Sequence, residues 1–407
     1  METRTELFAF FGFALLLFVA SLGFYLTKTV QTNPPISGQY ELEDCKSLVY
    51  NEEASMNILF FSSEEEAVEY SSYLLQASPF NENPESFNFY YIGPDNYKPD
   101  CEIYKGAAVL CYDQEIIRKA ASCPHDYIVV IDRQPLNIRS SAYLNVMSLN
   151  SRHSLTVFLH EFGHAGFNFA EEYKTDGRIP RGSENCKSSC EGFEGETDGC
   201  FQECSKDSYY RSIQNGVMRT LSTSDYGLFN SNLIREVIRS KKPVKGLTGA
   251  VVSEDNSCEN RHKNHLCSLT RMGAVVSEDN SCENQNYFLL KAQYLDGKIV
   301  VISKSIEPGC APSSSNFESD FSYRVFAEDE TLIFEDSRNL NIFTDVQQDG
   351  TEEIEGETYS VLEEGEIFFI TSPYSESASK IEIIEETTGA ETQETLQNLG
   401  GEVACHL

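Results

Sequence analysis

Three consecutive segments of the chain read YIVVID at residues 127–132, AYLNVMSL at 142–149 and SRHSLTVFLHEFGHA at 151–165. The first is a short run that is apolar up to its last residue, Asp132, which is typical of a strand buried inside a sheet. The second is a further apolar run and predicts a strand at the sheet edge. In the third, apolar residues recur at helical spacing, so it predicts a helix with Asn150 or Ser151 as its cap.

Upstream of these segments, predicted strands and helices alternate. Residues 57–61 and 87–92 predict two more buried strands, and residues 112–122 predict a helix. Another helix runs to Gln76 behind the sequence Ser62-Ser63-Glu64-Glu65, which supplies a capping box. The resulting order β-α-β-α-β-β-α predicts an α/β (α+β) domain with a central twisted sheet.

Downstream of these segments the pattern changes. A loop rich in cysteine and glycine covers residues 174–209, and residues 230–240 predict an amphipathic helix. From 286 to 384, apolar and polar residues alternate in short runs between turn residues, which predicts an all-β sandwich domain. Between these regions the sequence GAVVSEDNSCEN occurs at 249–260 and again at 273–284. We attach no function to this duplication.

The composition describes a globular and strongly acidic protein. Of 407 residues, 40% are hydrophobic, and 64 acidic against 31 basic side chains give a net charge of -33. A surface of this charge repels phosphate backbones, so we expect no nucleic-acid partner. The sequence does not indicate an oligomeric state.

The N-terminal segment and the cysteines together indicate an extracytoplasmic location. Leu7 to Leu26 form a run of 20 residues without a charge, which is the length that a helix needs to cross a bilayer. A secretory signal would have a shorter apolar stretch and a small-x-small cleavage site. We therefore expect a single-pass anchor in the cell membrane, whereas cleavage of the segment would give a secreted protein. The 13 cysteines suit disulfides in an oxidising exterior.

Four cysteines of the loop, Cys186, Cys190, Cys200 and Cys204, allow two interpretations. Four thiolates can hold a structural zinc ion. Outside the cell, two disulfides that staple a helical hairpin are favoured, because zinc thiolates are poorly kept in oxidising surroundings. The sequence leaves the possible pairings open.

The predicted helix at 151–165 carries His160-Glu161-Phe162-Gly163-His164, the pattern H-E-x-x-H. A spacing of four residues puts both imidazoles on one face of a helix, where they can share a metal ion with Glu161 beside them. Zinc lowers the pKa of a bound water to about 7, and a carboxylate that takes its proton makes hydroxide for attack on a carbonyl. We therefore predict His160 and His164 as ligands of one catalytic Zn²⁺ ion and Glu161 as the general base.

A catalytic zinc ion requires a third protein ligand. If this ligand comes from a distant helix, Glu236 is the best candidate. If the chain instead turns sharply after the helix, Gly166 and Asn168 can take left-handed backbone angles and bring Glu171 or Glu172 to the metal. The second geometry fits the sequence better, and the residues themselves do not choose between the two glutamates.

The segment HEFGHAGFNFAEEY at 160–173 resembles the H-E-F-G-H-x-x-x-x-L-A-D-E-Y signature of the IgA-peptidase family of metzincin-like zinc metallopeptidases. The segment Asn215-Gly216-Val217-Met218-Arg219 likewise resembles the methionine turn of metzincins. The resemblance covers roughly residues 57–240 and implies a metzincin-like catalytic domain with zinc endopeptidase activity. It puts Glu171 at the aspartate position of the signature and makes it the first choice for the third ligand, with Glu172 as the alternative.

The sequence therefore predicts a membrane-anchored, extracytoplasmic zinc metalloendopeptidase with a protein or peptide substrate. One alternative is a catalytically inactive, protease-like surface protein for binding or adhesion, and another is a zinc hydrolase of a non-peptide amide. The predicted edge strand favours a peptide, because an extended substrate can pair with its free backbone groups. The predicted organisation is a transmembrane anchor at 1–28, a spacer at 29–44, a zinc metallopeptidase domain at 45–246, a duplicated Cys-containing linker at 247–285, a β-sandwich accessory domain at 286–386 and an acidic tail at 387–407.

Overall fold

The computed structural model describes residues 41–399 except 53, 176–177, 194–196, 242–281, 316, 345–357, 361–366 and 398. The predicted membrane anchor and most of the duplicated linker lie outside the described residues. Among the residues that are described, no helix is long and apolar enough to span a membrane.

The protein belongs to the mixed α/β class, with a central mixed sheet and further β-sheets. Its described helices are α1 (Glu64–Gln76), α2 (Gln114–Ala120), α3 (Thr156–Phe167) and α4 (Leu228–Ser240), with short 3₁₀ turns at Phe80–Glu82, Pro84–Ser86, Cys190–Gly192 and Cys282–Asn284. Its described strands are β1 (Lys46–Val49), β2 (Met56–Phe61), β3 (Phe87–Ile92), β4 (Glu102–Tyr104), β5 (Ala108–Leu110), β6 (Tyr127–Asp132), β7 (Ser141–Tyr143), β8 (Val146–Asn150), β9 (Phe201–Cys204), β10 (Lys206–Arg211), β11 (Asn286–Leu295), β12 (Lys298–Pro308), β13 (Phe321–Ala327), β14 (Leu332–Arg338), β15 (Asn341–Thr344), β16 (Thr358–Ser360), β17 (Ile367–Pro373), β18 (Ala378–Glu385) and β19 (Ala390–Thr395).

The central sheet has the strand order β1-β3-β2-β6-β8-β7-β15-β16 in the described chain. Its middle strands β3, β2, β6 and β8 are parallel neighbours. The pairs β1 with β3, β7 with β8, β15 with β7, and β16 with β15 are antiparallel. The sheet therefore combines a parallel centre with antiparallel margins.

Both faces of the sheet are covered, and the alternation of side chains along a strand explains why β2 is apolar throughout. Ile58 and Phe60 face the core that contains α1, α3 and α4. Leu59 and Phe61 face the core that contains α2. The strands that lead into α3 are thus anchored on two sides, which gives the helix a rigid base.

Several predicted elements are confirmed, with changes at their ends. The strands at 87–92 and 127–132 have the predicted bounds, and β2 begins one residue earlier than predicted. The capping box of α1 is formed by Ser63 and Glu66. The helix predicted at 112–122 is shorter, because the Asp113 side chain caps it by accepting from the Ile116 N–H.

The predicted single strand at 142–149 is wrong. The chain forms the antiparallel hairpin β7–β8 instead, and Leu144 takes a positive φ of 54° in its turn. The prediction of an edge strand is also wrong in the described sheet, because β15 pairs with β7. The run LNIFTDV, which the alternation pattern places in the sandwich, supplies this strand.

The bounds of the helix predicted at 151–165 differ from the prediction at both ends. Its cap residue is Leu155, which makes no capping hydrogen bond with its side chain. The Asn150 side chain instead donates to the backbone oxygens of Pro135 and Ile138, at 2.9 and 2.8 Å. At the other end Asn168 takes the predicted left-handed conformation, with φ 55° and ψ 32°, while Gly166 stays within the helix.

The C-terminal part contains a sheet of order β12-β11-β17 and a sheet of order β14-β13-β18-β19. Their facing side chains share one core, which includes Phe288 and Leu290 of β11 with Tyr323 and Val325 of β13. Strands β14 and β19 are not among the predicted runs. Both carry several charged side chains, so the apolar alternation that marks the other strands is weak there.

Five disulfides among the described residues confirm the prediction of paired cysteines. They join Cys45 with Cys123, Cys101 with Cys111, Cys186 with Cys204, Cys190 with Cys200, and Cys282 with Cys310. The interpretation of the loop cysteines as a four-thiolate zinc site is therefore wrong. The predicted helical hairpin is wrong as well, because the described part of the loop contains the β-hairpin β9–β10 and the 3₁₀ turn at Cys190–Gly192.

Candidate metal centre

One face of α3 brings two imidazoles together, and the chain that follows returns a carboxylate to them. The Nε2 atoms of His160 and His164 lie 3.2 Å apart. Glu171 places Oε2 at 3.3 Å from His160 Nε2 and Oε1 at 3.2 Å from His164 Nε2. Among the described residues, these are the three side chains whose ligand atoms converge as a metal site requires.

The second ring nitrogen of each histidine is held by a backbone carbonyl. His160 Nδ1 lies 2.9 Å from the Val217 oxygen, and His164 Nδ1 lies 2.7 Å from the Phe169 oxygen. Because a carbonyl oxygen only accepts, each Nδ1 carries a proton and donates it. Each Nε2 is thereby oriented as a ligand atom, an arrangement that is general for metal-binding histidines.

The three side chains lie close enough together to share one cation. With one ligand atom from each residue, these atoms all lie within 4.8 Å of one another. The two contacts of Glu171 use different carboxylate oxygens, Oε2 towards His160 and Oε1 towards His164, so the carboxylate faces both imidazoles. Two imidazoles and one carboxylate also leave a fourth position for water or substrate.

The pKa shifts in the site show that the Glu171 carboxylate is stabilised in its charged form by the neighbouring imidazoles. Burial opposes ionisation of Glu171, but the two imidazoles lower its pKa to about 2. Burial likewise disfavours a protonated His160, yet the Glu171 carboxylate, helped by Glu161, raises its pKa to about 10. The pKa of His164 is lowered by burial despite the same carboxylate. A single positive charge is thus favoured between the three side chains.

No family model and no curated protein matches the chain.

The predicted base Glu161 lies in the same buried region. It is 0% exposed, and His160, His164 and Glu171 are exposed by only 1, 4 and 1%. Glu161 also contributes to the raised pKa of His160, which is consistent with a short distance between the two groups. All four residues predicted to carry the chemistry are therefore buried, and Glu161 lies beside the three converging side chains rather than among them.

The neighbouring Glu172 points away from the histidines. Its Oε1 accepts from Asn230 Nδ2 at 2.7 Å and from Asn185 Nδ2 at 3.3 Å. Burial raises its pKa to about 7, although these two hydrogen bonds act in the opposite direction. The distant alternative, Glu236, is exposed on α4 and does not belong to the converging set.

The Cys-rich loop supports the backbone of Glu171. The Asn185 side chain makes two hydrogen bonds of 2.8 Å with the backbone of Ala170, accepting from its N–H and donating to its oxygen. The Ser205 hydroxyl donates to the Glu171 oxygen at 2.8 Å. The disulfide between Cys186 and Cys204 ties the residues next to Asn185 and Ser205 together. The third ligand is therefore held by residues that lie far from it in sequence.

Met218 packs beneath the motif helix. A Cβ atom at Gly163 would collide with the Met218 sulfur, so the glycine of H-E-F-G-H makes room for this side chain. The Met218 oxygen accepts from the Glu172 N–H at 3.0 Å, and the preceding Val217 oxygen holds His160. Val217 and Met218 thus contact both the helix that carries the histidines and the chain that carries Glu171 and Glu172.

Phe343 of β15 is a site residue that sequence reasoning missed. Its ring stacks on His164 with centroids 4.0 Å apart and planes inclined by 7°. The alternation in LNIFTDV predicts a strand, but nothing in it indicates contact with a helix nearly 180 residues earlier in the chain. Asn185 and Asn230 were also not predicted as site residues, because nothing in the sequence around them indicates their contacts with Ala170 and Glu172.

Proposed function

We propose that the protein is a membrane-anchored, extracytoplasmic zinc metalloendopeptidase. The convergence of His160, His164 and Glu171 carries this proposal. Two histidines and a glutamate form a ligand set of catalytic zinc sites, which keep one position open. The two carbonyl oxygens that orient the histidines add to the fit.

Zinc is favoured over other divalent ions for chemical reasons. Calcium and magnesium prefer oxygen ligands, so two imidazole donors count against both. Two histidines and a carboxylate also suit iron(II) in oxygenases. The glutamate that follows the first histidine in H-E-x-x-H is a general base for hydrolysis and favours zinc.

The chain's own residues would divide the chemistry between them. When bound by His160, His164 and Glu171, zinc supplies a water ligand with a pKa of about 7 and polarises a carbonyl group. Glu161 would accept the proton of the attacking water and donate it to the leaving amine. The burial of the site would keep bulk water from weakening these interactions.

We also propose that residues 45–246 form a metzincin-like catalytic domain and that residues 286–386 form a β-sandwich accessory domain, except that its strands β15 and β16 join the central sheet. The reversal at Asn168, the return of Glu171 and the position of Met218 support the first assignment. The run from Leu7 to Leu26 supports a membrane anchor. The five disulfides suit an oxidising exterior.

The decisive experiment compares the full-length protein with Glu161→Gln. We measure bound metal by elemental analysis and hydrolysis with a peptide library. The variant should keep its zinc and lose peptide hydrolysis by roughly 100-fold or more, because the amide keeps the shape of the side chain but cannot accept the proton. The exposed Glu236→Gln is the matched control and should change neither quantity.

Residual turnover within about tenfold of the wild type would contradict a general-base role for Glu161. A protein that binds zinc and cleaves no peptide would instead favour the binding protein or the non-peptide amide hydrolase. Iron in place of zinc would contradict the metal assignment.

A further inference from the structure

The strand β7 next to the metal site already has a partner. Within the described sheet, β15 pairs with it in antiparallel register, with Ile342 opposite Tyr143, Phe343 opposite Ala142, and Thr344 opposite Ser141. A free strand edge is a place where an extended peptide adds itself through backbone hydrogen bonds. Strand β15 therefore occupies the position that an added peptide strand would take.

The side chains of β15 alternate between two cores. Ile342 belongs to the core of the C-terminal sheets, whereas Phe343 belongs to the core that contains α3. The Phe343 ring lies flat on His164, 4.0 Å between centroids, so it covers one face of a predicted metal ligand. A side chain of the C-terminal part thus reaches the metal centre.

Among the described residues, the cavity between His164 and β15 is small. A cavity of about 30 Å³ adjoins His164 and is lined by Ala142, Asn341 and Phe343 among others. Such a volume suits about one water molecule. A peptide could reach the histidines from this side only if β15 moved.

One buried polar group of β15 has no protein partner. Asn341 is 1% exposed, and neither polar atom of its side-chain amide has a hydrogen-bond partner among the described residues. Asn341 lines the cavity that suits one water molecule, so solvent rather than protein is the available partner at this position of the strand. The residues just before it are well held, since the Leu340 N–H donates to Asp320 at 3.0 Å and the Asn339 amide donates to Asn168.

We propose that Asn341–Thr344 is an internal inhibitory strand that holds the place of an extended peptide substrate along β7. The preferred substrate then presents an apolar aromatic side chain at the position of Phe343. This inference rests on the proposed peptidase function. Because only molecules with a displaced strand accept a peptide, the apparent affinity for substrate is reduced by the fraction that is displaced.

A binding experiment tests the strand without relying on turnover. A fluorescent peptide of sequence NLNIFT, which repeats residues 339–344, is titrated into the full-length, zinc-loaded Glu161→Gln protein. Adding Phe343→Ala to this protein should strengthen peptide binding by about tenfold or more, because the weakened strand leaves β7 more often. The peptide NLNIAT should bind more weakly to the same variant.

An activity experiment tests the same strand in the protein with Glu161 intact. Phe343→Leu keeps an apolar side chain and loses the stacked ring, so it should raise kcat/KM for peptides, mainly through a lower KM. Phe321→Leu is the matched control, since Phe321 is 1% exposed in the core of the C-terminal sheets and is not part of the metal centre. It should leave both peptide binding and kcat/KM unchanged.

The outcomes separate this inference from the proposed function. Tighter binding of NLNIFT without any turnover would support the inhibitory strand and contradict the peptidase. Folded, zinc-loaded Phe343 variants that neither bind the peptide more tightly nor turn over faster would overturn the strand while leaving the peptidase intact. Failure of both Phe343 variants to fold would also overturn it, because β15 would then be a permanent part of the core.

Discussion

Helix α3 and the chain just after it contribute ligands to the same site, but they are held in different ways. His160 and His164 share a face because they are four residues apart on a helix. Glu171 reaches them through a left-handed turn at Asn168 and through contacts with Asn185 and the Cys-rich loop. Local spacing positions two ligands and long-range contacts position the third. The two regions should therefore respond differently to substitution.

The largest effect is expected from removal of the third ligand. Glu171→Ala should release zinc and abolish activity, a loss beyond the roughly 10- to 100-fold typical of residues that only orient a ligand. Glu172→Ala should leave most of the metal bound, because Glu172 contacts Asn230 and Asn185 rather than the histidines. Elemental analysis of both purified variants measures the difference. Zinc retained in Glu171→Ala but lost in Glu172→Ala would reverse the assignment.

A smaller effect is expected from the disulfide that supports the Glu171 backbone. Replacing Cys186 and Cys204 by alanine should weaken zinc binding by about 10- to 100-fold. Replacing Cys190 and Cys200 is the matched control, because this second disulfide of the loop lies further out, with Cys190 exposed. Each change should lower stability by roughly 3 kcal/mol, the value expected for loops of this size. Competition with a zinc chelator checks the affinities, and equal losses in both variants would show that the loop acts only through stability.

On the helix side, Gly163→Ala should destabilise the protein by about 1–3 kcal/mol, because the new methyl group collides with Met218. Helix propensity alone would predict that the substitution raises the free energy of unfolding by about 1 kcal/mol. In a protein that already carries Met218→Ala, the methyl group meets no sulfur atom, so Gly163→Ala should stabilise the protein there. Denaturant unfolding of the wild type, the two single variants and the double variant measures both effects. A stabilising Gly163→Ala in the wild-type background would show that Met218 does not restrict the helix.

The smallest effect concerns a buried histidine outside the site. Burial lowers the pKa of His125, whose Nδ1 lies 2.9 Å from the Cys123 oxygen. The unfolded chain takes up this proton at a pKa of about 6.5 and the folded chain resists, so stability should fall as the pH decreases below about 6.5. His125→Gln should show a weaker decrease when both proteins unfold in the presence of a metal chelator. If the free energy of unfolding fell equally with decreasing pH in both proteins, His125 would not be the cause of the decrease.

Much of the central sheet could be predicted because its signals are local. The strands at 87–92 and 127–132 are apolar apart from Asn88 and Asp132, and side chains on both faces of each strand are buried, as such runs require. The hairpin β7–β8 was missed because its turn, Leu144-Asn145, contains neither glycine nor proline, and Asn145 alone was not taken as a turn signal within the mostly apolar segment at 142–149. The partner of β7 could not be predicted, since nothing in a strand's sequence states which distant strand it meets.

The sequence by itself determined the chemistry of the candidate site: two histidines on one helical face, a glutamate beside them and two further glutamates after a turn. These features follow from spacing within a single helix and the turn behind it, which is information of short range. Only the tertiary structure decided that Glu171 faces the histidines, that Cys186 pairs with Cys204, and that Phe343 covers His164. Those choices depend on contacts between segments far apart in the chain, and such contacts form only when the whole core packs.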